Sequence, residues 1–597
     1  MVSRKRPRTW GWSVVMACIM SLVLTGCAGD AGPTQPPDQI DTEPVSGGVF
    51  LEAKLGDATY INPVLTAESV GGTLVEYIFE SLITVDAASK VVPQLALDYD
   101  VSPDQLTWTF TLREDVTWHD GAPFTAQDVK FTFDSMLHPM YTGPYRGNFA
   151  GLRGVQEMDG ELAAIAAQAQ EEEISPEEAA DLQIERYSQW LELDAVFTPD
   201  PYTVVLQLDE PFAPFLLYCG GIGILPQHLL EDSQGAAMEE HPFNREPVGT
   251  GRFRFKEWQA GEYISLTRND AWWGSPGPYV DEIVIKVIPD WNVLEIALET
   301  GELDLGVVQH ENAQRIEEQE HLSLHEYPRF TYTFMGLNMN NPLFQDKAVR
   351  QAMAYAIDQQ AMVDEIFAGR GTVASTHASP ARWDYNPDVR TYPHDPDKAR
   401  QILTDAGWEW SEDDGWMRDG EKLAFTLYTH QQQQREAAVV VIQEDLNQIG
   451  IDVEVQILDW PTFVGQVLIG RQFDAAVVAW NLGPDPDSYS IWHTHGGMYN
   501  FIGYSDSRVD AILEEARRVL DQERRLELYQ ELQEILAEEQ PYVFLFYPNG
   551  LEALNQRMRA NEAEFQPSPA HNGNMTWNIH HWWIPTEHHQ GPVLSPH

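Results

Sequence analysis

The sequence predicts an α/β protein with mixed sheets that is divided into several domains. Residues 423–429 and 451–457 have strand character and enclose a helix around 437–449, which is a β-α-β series. Residues 474–480 form a short run that is apolar on both faces, as in strands covered on both sides of a sheet. A chain of 597 residues is too long for one hydrophobic core and predicts two or three domains.

Strands also come before this α/β region. The alternating pattern at 107–113 predicts a strand, another strand is predicted at 202–208, and Thr125 with Asp128 predicts a capped helix start. Residues from about 158 to 195 are rich in Ala, Glu and Gln and predict a helical surface insertion. Strands on both sides of a mixed middle favour discontinuous lobes over a row of separate domains.

The N-terminus predicts export. Basic residues precede an apolar stretch at about 12–24, which is too short to span a bilayer and is typical of a removable signal, here residues 1–26. Leu24-Thr-Gly-Cys27 resembles the lipobox of bacterial lipoproteins, which implies that Cys27 carries the lipid. The alternative is an ordinary signal peptide with a chance cysteine. Residues 27–47 are small, acidic and Pro-rich, and predict a flexible tether.

The charge excludes some partners. A net charge of −55 repels nucleic acid and anionic lipid headgroups. It fits either adaptation to salt or an ordinary acidic secreted protein. Of the 3 cysteines, Cys18 lies in the leader and Cys219 is left without a partner, so we expect no disulfide and read Cys219 as a buried apolar residue.

The sequence contains no recognisable catalytic motif. Gly-x-Ser-x-Gly, phosphate-binding loops, His-Glu-x-x-His and Cys-x-x-Cys are all absent. We therefore expect no enzyme activity and no cofactor, with a secreted hydrolase as the alternative from another class. His493 and His495 raise a metal alternative, but a single His-x-His supplies too few ligands, so no metal site is predicted.

Several segments, taken in their order along the chain, resemble one protein family. They are 77–83, 108–129, 247–255, 346–358 and 480–489. Together they are similar to the extracytoplasmic solute-binding proteins of oligopeptide, dipeptide and nickel ABC importers (family 5). The resemblance covers roughly residues 48–575.

The resemblance implies a periplasmic-binding-protein-like clamp of class II type, with two lobes and an extra domain, that closes over its ligand at a hinge. Four regions are then expected after the tether: domain I from 48–80, 229–308 and 541–580; domain II from 81–228; domain III from 309–540; and a tail at 581–597. It also implies a monomer that captures peptides, or peptide-like solutes, outside the cytoplasmic membrane for an ABC permease. Oligosaccharide, another solute or chelated nickel remains the alternative ligand.

The resemblance also implies ligand contacts in the loop after residues 474–480. In peptide-binding members, a carboxylate in this loop binds the α-ammonium group of the peptide. Aligned on Trp480, that position falls on Gly483; aligned on the Asp-Pro pair, it falls nearest Asp485. Asp485 is therefore the ammonium candidate, and Asn481 and Asp487 belong to the same loop.

Further candidates surround this loop. Dipeptide-type relatives hold the ligand carboxylate with an arginine before the following helix, where this chain has Arg435 after a Gln run. Large amphipathic rings suit a roomy pocket. The remaining ligand candidates are Trp480, Trp460, Tyr489, Trp492, Tyr60 and Asn62. His119, in a Trp-His-Asp-Gly turn, is expected to serve folding.

Overall fold

The structure is a computed structural model that describes residues 43–560, 565, 567–568, 571 and 573–589. The predicted signal peptide, Cys27, most of the predicted tether and the end of the predicted tail lie outside the described residues. Within the described range, no helix combines the length and the apolar character that a membrane span requires.

The strands are short except for the last. They are β1 Val49–Lys54, β2 Ile83–Val85, β3 Val91–Pro93, β4 Ala96–Val101, β5 Thr107–Leu112, β6 Val196–Asp200, β7 Thr203–Gln207, β8 Phe253–Gln259, β9 Tyr263–Arg268, β10 Glu282–Val287, β11 Leu305–Val307, β12 Leu322–Pro328, β13 Thr331–Leu337, β14 Gly371–Val373, β15 Glu409–Ser411, β16 Gly415–Arg418, β17 Glu421–Lys422, β18 Ala424–His430, β19 Asp452–Leu458, β20 Ala475–Asn481 and β21 Tyr542–Asn555.

The helices range from single turns to five turns. They are α1 Ser69–Ile78, α2 Ala126–Leu137, α3 Val155–Gln170, α4 Pro176–Leu191, α5 Phe215–Gly220, α6 Gln227–Leu230, α7 Trp291–Glu299, α8 Ala313–Glu317, α9 Pro342–Gln345, α10 Lys347–Ala356, α11 Gln359–Ile366, α12 Pro396–Asp405, α13 Gln433–Gln448, α14 Trp460–Phe463, α15 Tyr489–Trp492, α16 Ser507–Arg518 and α17 Gln522–Glu539. A π-helical turn at Val464–Ile469 follows α14. Short 3₁₀ turns lie at Arg146–Phe149, Gly235–Met238, Pro242–Asn244, His310–Asn312, Met575–His581 and Thr586–His588.

Two mixed sheets share strand β21. Residues 542–546 of β21 pair with β13, whereas residues 552–554 pair with β11. The sheet order β8-β9-β10-β1-β11 lies on one side of β21, and β13-β20-β18-β19 lies on the other. Both sheets contain parallel and antiparallel pairs, which confirms the α/β class with mixed sheets.

The two sheets define two lobes, and the chain crosses between them at adjacent places. One crossing is residues 329–330, between β12 and β13, and the other lies within β21 near residues 547–548. Because β12 and β13 both pair with β21, the two crossings lie side by side. Adjacent crossings of this kind allow the lobes to rotate about one short hinge.

A smaller antiparallel sheet, β4-β5-β7-β6, joins the first lobe. It shares one hydrophobic core with that lobe, in which Phe50 packs in the same cluster as Trp108. Helices α3 and α4 occupy the insertion expected over about 158–195. The capping box predicted at Thr125 and Asp128 is confirmed, because each side chain accepts from the backbone N–H of the other residue.

The second lobe builds on the predicted β-α-β series. Strands β18 and β19 are parallel, and α13 connects them, which confirms that prediction. Strand β20 is buried over residues 475–478, as its run of apolar residues predicts. β20 ends at Asn481, which leaves the following loop at the boundary between the lobes.

Candidate functional site

Two cavities lie where the lobes face each other. The first has a volume of about 490 Å³ and is lined by first-lobe residues and by 482–485 and Asp487 of the second lobe. The second has a volume of about 450 Å³ and is lined by residues that include 307–310 and 432–435. Ala479 lines the second cavity and Leu482 the first. At about 3.3 Å per residue, these positions lie about 10 Å apart along the chain.

Helix α1 presents one face to the first cavity. Gly72, Val75, Glu76 and the following Phe79 all line it, at the three- and four-residue spacing of one helix face. A Cβ atom built on Gly72 would meet no other atom, so this face is open at that point. Helix α1 therefore contributes an apolar wall with one carboxylate at its edge.

Asp485 lines the first cavity, but its carboxylate is already in an ion pair. Nη2 of Arg525 lies 2.8 Å from Oδ1 and Nη1 lies 3.0 Å from Oδ2, a bidentate arrangement. Oδ1 also accepts a hydrogen bond from the backbone N–H of Asp487, at 2.9 Å. Asp485 therefore fixes the shape of the loop, and its negative charge is balanced from behind.

Asp487 joins the two lobes. Its Oδ2 lies 2.7 Å from Nη2 of Arg517, and it also accepts from the hydroxyl of Tyr218 on α5, at 3.3 Å. The Arg517 guanidinium lies 3.9 Å from the ring centroid of Tyr489, a cation–π contact. Both loop aspartates thus have arginine partners, and one of them contacts the opposite lobe.

The candidate aromatic residues are distributed over the second lobe. Trp480 is partly buried and donates from Nε1 to the hydroxyl of Tyr542, at 3.3 Å. Trp492 is fully buried, whereas Trp460 is 50% exposed and packs against His430. Neither these three tryptophans nor Tyr489 lines either cavity.

Asn481 and the loop after β1 have structural contacts. The Asn481 Oδ1 accepts from the hydroxyl of Thr331, which links β20 to β13. Asn62 is fully buried and donates to Asn244, at 2.9 Å. The hydroxyl of Tyr60 donates to Glu239, at 2.7 Å. Tyr60 and Asn62 shape the loop that ends at Pro63, which lines the first cavity.

Arg435 lines the second cavity, as does Arg329. Nη1 of Arg435 lies 2.6 Å from Nε2 of His430, and burial lowers the pKa of Arg435 to about 10. Nε of Arg329 is buried and has no hydrogen-bond partner in the part of the chain that the structure describes. Among the described residues neither arginine forms an ion pair, and the lining of this cavity contains no carboxylate. This cavity is positively charged, unlike the first one.

His119 has the structural contacts of a turn residue. Nδ1 accepts from the backbone N–H of Gly249, at 3.2 Å, so Nε2 carries the proton that is donated to the carbonyl of Gly251. Burial lowers the pKa of His119 to about 4, so the ring is neutral. In the described part of the chain, no group of three or more metal-ligating side chains is placed to hold an ion.

The sequence-based candidates do not include Glu76 and Tyr218, which line the first cavity, or Arg329, which lines the second. Of these residues, Glu76 has a feature that the sequence shows, because helical spacing places it on the same face as Gly72 and Val75. Tyr218 and Arg329 have no such feature, because their roles depend on contacts with residues far away in the sequence.

Similarity to known proteins shows the class to which this protein belongs. Residues 90–501 match the family model of bacterial extracellular solute-binding proteins, family 5. The chain belongs to this family, which confirms the resemblance found in the sequence.

Two relatives are similar along nearly their whole length. The chain is 29% identical over 590 residues to the oligopeptide-binding protein AppA of Bacillus subtilis, covering 97% of this chain and 99% of AppA. It is 24% identical over 559 residues to the heme-binding protein A of Haemophilus influenzae, covering 90% and 94%.

Solved structures confirm the two-lobed fold. The structure of Bacillus subtilis AppA in complex with a nonapeptide superimposes with a TM-score of 0.72, covering 91% of this chain and 100% of AppA at 29% identity. NikZ from Campylobacter jejuni, in complex with Ni(L-His), has the same fold with a TM-score of 0.70 at 24% identity, covering 90% and 99%.

Proposed function

We propose that this protein binds peptides outside the cytoplasmic membrane and delivers them to an ABC permease when its lobes close. The observation that carries the proposal is the pair of inter-lobe cavities with opposite charge. Four carboxylates and one guanidinium group, that of Arg252, line the first cavity, whereas the described lining of the second contains the guanidinium groups of Arg329 and Arg435 and no carboxylate. A peptide with free ends has the matching pair of charges.

The two cavities lie beside one extended segment of the chain, because Ala479 lines the second cavity and Leu482 lines the first. An extended peptide can therefore lie along this segment and reach both cavities. Arg435, together with Arg329, would bind the terminal carboxylate. Asp485 and Asp487 would form the second-lobe wall, with Trp480 and Tyr489 behind it.

The relatives support a peptide ligand. AppA is an oligopeptide-binding protein whose structure holds a nonapeptide. That relative also covers almost the whole of this chain, so both lobes have counterparts in it. Oligosaccharide or chelated nickel remains the second candidate ligand.

Contacts across the cleft support closure as the mechanism. Besides the Tyr218–Asp487 hydrogen bond, the backbone N–H of Ala213 donates to the carbonyl of Arg517, at 2.6 Å. Arg518 pairs with Glu210 across the same boundary, at 3.2 Å. These contacts form only when the lobes meet, so a ligand that fills the cleft shifts the population toward the closed form. We assign domain I to 48–80, 229–308 and 541–580, domain II to 81–228 and domain III to 309–540.

The proposed transport role also supports our assignments of a lipid anchor, a monomeric state and a non-catalytic function. A lipid on Cys27 would hold a monomeric receptor near its permease through the tether 27–47, which raises its local concentration there. Binding and release need no covalent chemistry, so we assign no catalytic activity.

Native mass spectrometry of the purified protein tests the proposal. Because closed clamps retain ligand, we expect added masses that fragment as peptides. A denatured sample of the same preparation is the control, since it loses any bound solute. A retained sugar or a nickel complex, with no peptide, would overturn the peptide assignment.

A further inference from the structure

We propose that Glu76, on helix α1 of the first lobe, binds the cationic nitrogen of the ligand. This inference rests on the proposed peptide-binding function and specifies which carboxylate recognises the positive end. The cationic group is either the terminal ammonium of the peptide or a basic side chain, and the experiment below separates the two.

The argument begins with the carboxylates that line the first cavity, which are Glu76, Glu80, Asp485 and Asp487. Asp485 and Asp487 each have an arginine partner, at 2.8 Å and 2.7 Å. Displacing either arginine would leave a partly buried guanidinium without a counter-ion, which is costly. The second-lobe aspartates are therefore poor acceptors for an incoming ammonium group.

Both carboxylate oxygens of Glu80 already accept hydrogen bonds within the protein. Its two oxygens accept from the indole N–H groups of Trp272 and Trp273, at 3.0 Å and 2.9 Å. It is 3% exposed, and the partly buried Arg252 attracts its charge and, more weakly, that of Glu76. Arg252 in turn donates to the carbonyl of Trp577, at 2.7 Å. Glu80 and Arg252 thus form a charge-balanced floor for the cavity.

Glu76 is different. It is partly exposed and lies one helical turn before Glu80, on the face that α1 turns to the cavity. Among the described residues its side chain accepts one hydrogen bond, from Nδ2 of Asn574 at 2.6 Å, and forms no ion pair. Asn574 holds the carboxylate in place, and Arg252 and Lys54 attract its charge only from beyond ion-pair distance. Closing the lobes removes water from this carboxylate, so closure is favourable when the ligand supplies a positive charge.

Tetrapeptide binding to the full chain tests the proposal. The probes are Ala-Ala-Ala-Ala with a free or an acetylated N-terminus, and an acetylated form with Lys or norleucine at the second position. We expect the wild-type protein to bind a cationic probe at least tenfold more tightly than its neutral counterpart. Preference for the free amine identifies the terminal ammonium, and preference for Lys identifies a side chain.

Glu76→Gln should reduce that preference to less than threefold. The Gln amide oxygen still accepts from Asn574, so we expect the fold to be retained, and Glu76→Asp should keep part of the preference. Glu262→Gln, an exposed change on the same lobe, is the matched control and should behave as wild type. An equal affinity of the wild-type protein for charged and neutral probes would overturn this inference alone. If the wild-type protein binds none of the probes and retains a non-peptide solute, the proposed function fails as well.

Discussion

Replacing Asp485 by Asn tests whether this aspartate acts as a structural support or as the ligand anchor. The carboxylate and its partner Arg525 are both buried, with side-chain exposures of 4% and 9%. Within the described part of the chain, the Nε atom of Arg525 has no hydrogen-bond partner. Asparagine keeps the shape and one acceptor for the backbone N–H of Asp487, but it removes the negative charge.

The expected cost is about 3 kcal/mol. Breaking a buried ion pair by removing one partner costs about 3–5 kcal/mol, because the remaining charge stays buried without compensation. The retained amide oxygen places Asp485→Asn at the lower end of that range. Arg525 lies on α17, so the loss should appear in that helix and in the loop 482–487. A decrease of about 3 kcal/mol corresponds to roughly 150-fold faster local opening.

Hydrogen exchange followed by mass spectrometry measures this opening helix by helix. Asp452→Asn is the matched control, since Asp452 pairs with Lys422 on the surface, where the two side chains are 60% and 45% exposed. That change should cost less than about 1 kcal/mol. Unchanged exchange in α17, together with a tenfold or larger loss of peptide affinity, would refute the structural role and restore Asp485 as the ammonium anchor.

Three further predictions concern closure, the second cavity and pH. Tyr218→Phe removes the hydrogen bond to Asp487, so titration calorimetry should show about fivefold weaker peptide binding, from about 1 kcal/mol; an unchanged affinity would argue against this closure contact. Arg435→Gln should weaken binding of peptides with a free carboxylate about tenfold and leave C-amidated peptides unaffected; an equal loss for both would contradict a carboxylate site. Burial raises the pKa of Glu552 to about 7, so the folded state binds more protons than the unfolded state between about pH 5 and 7. The unfolding free energy should therefore fall as pH rises through this window, and melting curves of Glu552→Gln should lack that part of the fall; parallel pH profiles would contradict it.

Local signals were sufficient for much of the fold. The β-α-β series became β18, α13 and β19, and the Thr125–Asp128 capping box formed, because strand alternation and helix capping depend on neighbours within a few residues. The run that became β20 was recognisable because a doubly buried strand must be apolar on both faces. The family resemblance depended on longer segments of the sequence, such as residues 108–129.

The sequence predicted only part of the candidate site. The loop after Trp480 lies at the boundary between the lobes, and Asp485, Asp487 and Arg435 line the two cavities. The sequence could not indicate that Arg525 and Arg517 bind the two aspartates, since these partners lie 40 and 30 residues away. The sequence could place Glu76 on one helix face with Gly72 and Val75, but it could not show that this face lines the cleft.

The sequence by itself determined the class of the protein, its α/β lobes and the loop that faces the cleft, because these features depend on local pattern. The tertiary structure decided which charges remain available to a ligand. The availability of a carboxylate depends on the groups that surround it in space, and folding brings those groups together from both lobes. Glu76 forms no ion pair among the described residues, whereas Asp485 and Asp487 each form one, and only the folded structure shows this difference.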